Sequence, residues 1–109
     1  MRFCPWYPLV EAGSHAPAAE GVLQLRVADG LIDYPRGKSA MVAYAHAADV
    51  RAAAIGLATR FADRGLLCRH LEADGGESID AAAVHAKLLG EFERRFGAAP
   101  APERGEGTR

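Results

Sequence analysis

The sequence is poor in most of the features that make a function legible. Cys4 and Cys68 are its only cysteines, too few and too far apart for a disulfide framework. Aromatic residues make up 7% of the chain, so Leu, Val and Ala must supply most of the packing. Lys and Arg number 13 against 14 Asp and Glu, for a net charge of −1. That balance gives no overall pull toward nucleic acid or acidic membranes. No run approaches the roughly 20 apolar residues of a transmembrane helix. Pro5 and Pro8 interrupt the opening MRFCPWYPLVEAG. Neither a membrane contact nor a signal peptide is therefore expected, and a reducing, cytoplasmic setting is the expectation. No internal repeat and no cofactor-binding motif is present, so no cofactor or metal is expected.

What is there suits one domain. The chain has 109 residues, half of them apolar and a quarter charged. A domain of this size buries roughly 65% of the surface its unfolded chain exposes, which is enough for a core without staples. Residues 1–20 carry Pro5, Pro8 and Pro17, which exclude a continuous helix or a central strand. Trp6, Tyr7 and Leu9 make this an irregular arm that lies against the domain rather than a free tail. Residues 98–109, AAPAPERGEGTR, have no apolar anchor and are expected to be disordered.

Between arm and tail, residues 21–97 alternate strand and helix signals. Gly21–Ala28 has period 2, with Leu23, Leu25 and Val27 on one side and Gln24 and Arg26 on the other, the pattern of a half-buried strand. Asp29-Gly30 is a turn signal. Leu31–Tyr34 continues as a short strand until Pro35-Arg36-Gly37, and Ala40–Ala45 is a further strand. Val50, Ala54, Leu57, Ala58 and Phe61 recur at helical spacing, predicting a helix over Ala47–Arg64 with Asp49 at its start. Gly56, inside it, is expected at a close packing contact. Leu66–Glu72 follows as a strand. Ser78 or Asp80 starts a second helix, striped by Ala81, Val84, Leu88, Leu89, Phe92 and Phe96 and ended by Gly97. The order predicts an α+β fold, with a small, mainly antiparallel three-stranded sheet flanked by two main helices.

Few groups combine into chemistry. Gly37-Lys38-Ser39 has the ending of a phosphate-binding loop. That pattern needs glycine where Ile32 stands, and a helix where a strand is expected. The surrounding YPRGKS is read as a polar turn. As a binding segment it offers a stacking face on Tyr34 and charge on Arg36 and Lys38. His85 shares the inward side of the second helix with Ala81, Leu88 and Phe92. A half-buried histidine with one hydrogen-bond partner is expected there rather than a ligand. Cys68 and His70 share a strand face, but pairing them with His85 or His46 gives scattered zinc ligands, so Cys68 is read as a small core residue. Ser14 and His15 have no orienting acid in the pattern.

Taken together, Gly21-Val22-Leu23 behind Ala16-Pro17, Ala43-Tyr44-Ala45 with the following HAADVR, the strand Leu66–Glu72 and the helix VHAKLLGEFERRFGAAP resemble the GIY-YIG nuclease family over residues 16–100. The resemblance implies a short sheet flanked by helices, and it also marks what is missing. The tyrosine the family places near the attacking water falls on Leu23. The second tyrosine falls on Ala43, with Tyr44 one place away. The phosphate-steadying arginine falls on Ala53, with Arg51 two residues earlier, and the metal-binding glutamate falls on His85. Hydrolysis by that route needs a hard cation held by carboxylate, a base and a cationic clamp. Leucine and alanine supply none of them.

The expectation is a non-catalytic binding domain on a GIY-YIG-like scaffold, with a protein as its partner. Two alternatives stand beside it. One is a divergent enzyme using Tyr44, His46, Arg51 and His85 on a phosphodiester or a small phosphorylated ligand, which requires at least three of them to share a pocket. The other is a weak nucleic-acid-binding module using Arg36, Lys38 and Arg51.

Overall fold

The structure, a computed structural model, describes residues 1–75 and 77–103. Its elements are β1 (Arg2–Phe3), β2 (Tyr7–Pro8), a 3₁₀ turn (Leu9–Glu11), α1 (Ala12–His15), β3 (Gly21–Arg26), β4 (Ile32–Tyr34), β5 (Gly37–Ser39), β6 (Met41–Ala47), α2 (Val50–Arg60), β7 (Leu67–Glu72) and α3 (Ala81–Phe96). The fold is α+β and its strand pairings are antiparallel. The main sheet has five strands, not the three expected. β3 lies at its centre between β6 and β7, and the arm adds β1 and β2 along the outer side of β7. Pro5 and Pro8 do keep the arm from forming a long strand. Two short pairings at an edge still satisfy its backbone, because an edge position needs only half its hydrogen bonds. β4 and β5 form a separate hairpin across Pro35-Arg36.

The sheet is covered on both faces. Leu23 pairs with Ala45 and His70, and Leu25 with Ala43 and Cys68, so these side chains share one face. A Cβ on Gly21 of that face would lie 3.0 Å from Val50, which places α2 over it. Val50, Ala54, Phe61, Leu9 and Ala12 complete this core, all at most 6% exposed. On the other face, Tyr44 packs edge-on against Phe92 of α3, with centroids 5.6 Å apart. Because of that second layer, Gln24 is 2% exposed rather than solvated as the alternation of β3 suggests. Its amide oxygen accepts from Arg69 Nε at 2.7 Å. The Arg69 guanidinium lies 4.6 Å from the Phe3 ring centroid and 4.5 Å from that of Trp6.

Helix boundaries follow local chemistry. β6 runs on to Ala47, so α2 begins three residues later than the apolar spacing predicts, where the Asp49 side chain accepts from Ala52 N–H. Asp80, rather than Ser78, caps α3 through Ala83 N–H, and Gly97 closes it at φ 83°. Gly56 is not at a close contact. It is exposed, and a Cβ there would meet nothing within 4 Å. Residues 98–103 of the expected tail turn back over the domain. Ala101 N–H donates to the Tyr34 hydroxyl and the Pro102 carbonyl accepts from Arg64. Residues 104–109 lie outside the described set. Among the described residues, no helix is long and apolar enough to cross a membrane.

Candidate functional site

The residues singled out by sequence divide among three places. Tyr34 is 6% exposed. Its ring is edge-on to Phe92 at 5.0 Å and its hydroxyl donates to the Met41 carbonyl, so it fills core rather than offering a stacking face. Arg36 covers the end of α3. Its backbone N–H reaches the Phe96 carbonyl and its guanidinium the carbonyls of Glu93 and Arg94, acceptors that a helix C-terminus leaves open. Lys38 pairs with Asp33 across the hairpin at 3.3 Å, both well exposed.

Tyr44, His46 and His85 are neighbours on the α3 face. His85 Nε2–H donates to the Tyr44 carbonyl at 3.2 Å, and the His46 and His85 rings are 6.3 Å apart. His46 Nε2 is 2.7 Å from Glu20, and burial pushes the Tyr44 phenol above its ordinary range. Arg51 is not with them. It belongs to α2 on the other face, where its Nε donates to the Ala16 carbonyl at 2.7 Å and its backbone N–H to Pro17. It anchors the arm to the helix.

Three of the four positions carried over from the resemblance hold hydrocarbon side chains, and the fourth holds an imidazole. Leu23 is fully buried, Ala43 and Ala53 pack against the core, and the ring of His85 is engaged as just described. No protein-family model matches the chain, and no curated protein sequence matches it either.

A different cluster lies on the α2 face, where the arm meets β7. Cys4 is held opposite His70, its backbone N–H donating to the His70 carbonyl at 2.9 Å. The pairing shifts by one residue across Pro5-Trp6, since Phe3 pairs with Leu71 while Tyr7 pairs with Cys68. That extra residue, a bulge, turns Cys4 and Tyr7 to the same face although they are three apart. The Tyr7 hydroxyl is 3.0 Å from His70 Nδ1, Cys4 Sγ is 3.4 Å from the same nitrogen, and Cys68 Sγ is 3.6 Å from the Tyr7 hydroxyl. We assign a relay in which Cys68 donates to Tyr7 and Tyr7 to His70, which leaves the imidazole proton on Nε2, 3.7 Å from the Glu72 carboxylate. His15 stacks on Tyr7 at 4.6 Å. A cavity of about 320 Å³ opens here, lined by Cys4, Trp6, Tyr7, His15, His70 and Glu72 among others.

Burial governs the protons of this cluster. It raises the Cys4 and Tyr7 pKa values, carries that of Cys68 to about 11, and lowers that of His70. His70 faces Cys4, Tyr7 and Glu72, with His15 beyond, and only the Glu72 charge works to keep its proton on. The folded protein therefore binds fewer protons at His70 than the unfolded chain once pH falls below 6.5, the ordinary value. Stability contributed by this site is full above that pH and is lost as pH falls through the window beneath it. Urea midpoints compared between about pH 8 and about pH 5 should fall further for the native chain than for His70→Gln. Equal falls would show that His70 is not held neutral by the fold.

The alternation of β7 alone puts Cys68, His70 and Glu72 on one face. No local pattern points to Cys4, which is 66 residues away from His70. The zinc set weighed from sequence does not assemble, because His46 and His85 lie across the sheet from His70. Cys68 is fully buried.

Proposed function

We propose that this chain is a non-catalytic binding domain on a GIY-YIG-like scaffold and that its partner is a protein. The observation that carries the reading is what the four positions Leu23, Ala43, Ala53 and His85 hold. Three hold hydrocarbon packed into the core, and the fourth holds a ring bonded to backbone. The side-by-side strands Gly21–Arg26, Met41–Ala47 and Leu67–Glu72 supply the scaffold. A protein partner is favoured over nucleic acid by what the three cations weighed for nucleic acid, and Arg69 beside them, do. Arg36 and Arg51 are spent on backbone carbonyls, Lys38 on Asp33 and Arg69 on Gln24. Two of the four exposed large hydrophobics among the described residues, Val10 and Ile55, flank one shallow groove between the 3₁₀ turn and α2, at 69% and 47% exposed. Two free, buried thiols suit a reducing, cytoplasmic setting.

The full chain, incubated with single- and double-stranded DNA and with structured RNA in magnesium or manganese, is expected to yield no cleavage above a protein-free control. Metal-dependent cleavage that disappears in His85→Ala would overturn the reading.

A further inference from the structure

We propose that Cys4, His70 and Glu72 form a zinc site, with a fourth position open to the cavity beside Tyr7 and Trp6. One donor atom from each of the three residues lies within 4.8 Å of the other two. A tetrahedral zinc with ordinary Zn–S and Zn–N bonds holds its sulfur and nitrogen roughly 3.5 Å apart. Cys4 Sγ and His70 Nδ1 stand at 3.4 Å, so the ion fits between them with little movement of either. Entry of the ion replaces the Tyr7 hydrogen bond to Nδ1 and frees that hydroxyl to donate to the metal-bound thiolate.

Glu72 is the adjustable ligand. Its carboxylate rests on the Nε2 edge of the ring, 3.7 Å away, and its side chain is 45% exposed, so it has room to swing to the Nδ1 edge. The backbone fixes the other two. Cys4 and His70 are opposite each other in the pairing, and His70 N–H donates to Cys4 Sγ at 3.3 Å. That bond also favours the thiolate the metal requires.

The donor set selects the ion. One thiolate, one imidazole and one carboxylate are too soft for magnesium or calcium and match zinc. Three protein ligands with an open cavity are the arrangement of a zinc that keeps a water or exchangeable ligand, not of a closed structural site. The cavity admits a small thiol- or oxygen-donor ligand as the fourth group. Binding must release the Cys4 proton, so affinity rises with pH. This site shares no residue with the positions carried over from the nuclease resemblance, and it stands or falls separately from the proposed function.

The test uses the full chain, freed of metal by a chelator and then titrated with zinc alone or with cobalt(II) as a coloured stand-in. One equivalent is expected to bind, with a thiolate-to-cobalt charge-transfer band and the visible spectrum of a four-coordinate site. Zinc should also raise the melting temperature. Cys4→Ser should abolish the charge-transfer band, Cys68→Ala should retain it, and Glu72→Gln should weaken affinity about tenfold or more. Glu72 is half exposed, so that variant keeps the fold and remains informative even where Cys4→Ser does not. The proposal is overturned by an absence of stoichiometric binding, by a band that survives in folded Cys4→Ser or is lost in folded Cys68→Ala, or by an unchanged affinity in Glu72→Gln.

Discussion

Arg69→Ala is expected to destabilise the protein by about 3 kcal/mol. The side chain looks like an ordinary strand-surface arginine in the sequence, but it joins three elements. Its guanidinium lies over the rings of Phe3 and Trp6 of the arm, at 4.6 and 4.5 Å, and its Nε donates to the Gln24 amide oxygen at 2.7 Å. Gln24 is 2% exposed. Its truncated neighbour would leave a buried acceptor without its donor, which costs about 1–3 kcal/mol. Losing two ring contacts to a partly desolvated cation adds about 0.5–2 kcal/mol. The melting temperature should fall by roughly 15 °C at about 4–8 °C per kcal/mol. The double variant Gln24→Leu/Arg69→Leu should recover much of this, because removing both partners leaves nothing unpaired. The difference should also persist at high salt, since an enclosed cation is poorly screened. A loss under about 1 kcal/mol would mean that these contacts contribute no more than a surface pair.

Leu23→Ala is expected to cost a similar amount, about 3–4 kcal/mol, by a different cause. Leu23 is fully buried at the centre of the sheet, between Ala45 on β6 and His70 on β7. Both strand neighbours are held in register by hydrogen bonds, so the walls of the new cavity have little freedom to close. Chemical denaturation should show a lower midpoint with an unchanged slope, the signature of lost packing in an intact native state. A cost near 1 kcal/mol would mean that the core relaxes around this position.

Much of the framework is legible in the sequence because it is written in local periods. The alternation of Gly21–Ala28 locates β3 to within two residues, and the stripe ending at Phe96 and Gly97 locates α3 and its cap. The other two central strands are legible from short runs, Ala40–Ala45 by its small apolar residues and Leu66–Glu72 by its length and place after Gly65, rather than from a period. The arm does not. Arg2–Phe3 and Tyr7–Pro8 are too short to carry a period, and their strand character is imposed by the edge of β7. The same gap hides the cysteine–histidine cluster, whose contacting members on the arm and β7 are 61 to 66 residues apart in sequence and meet only through that pairing. It also explains Gln24 and Arg69. A polar position in an alternating strand implies solvent only when one face is bare, and here α3 and two arm aromatics cover it. Arg36 and Arg51 show the limit of reading charge from sequence. Both are cations beside candidate binding segments, and both turn out to close backbone carbonyls.

The bulged arm has a consequence for the order of events during synthesis. Tyr7 and Cys68 are separated by 61 residues. At a translation rate of about 5–20 residues per second, the arm waits roughly 3–12 s for its partner strand to be made. Through that interval the Cys4 thiol and the rings of Trp6 and Tyr7 have no sheet to lie against. The arm is thus made before the strand that shelters it, and Cys4, Trp6 and Tyr7 are covered only once β7 has been made.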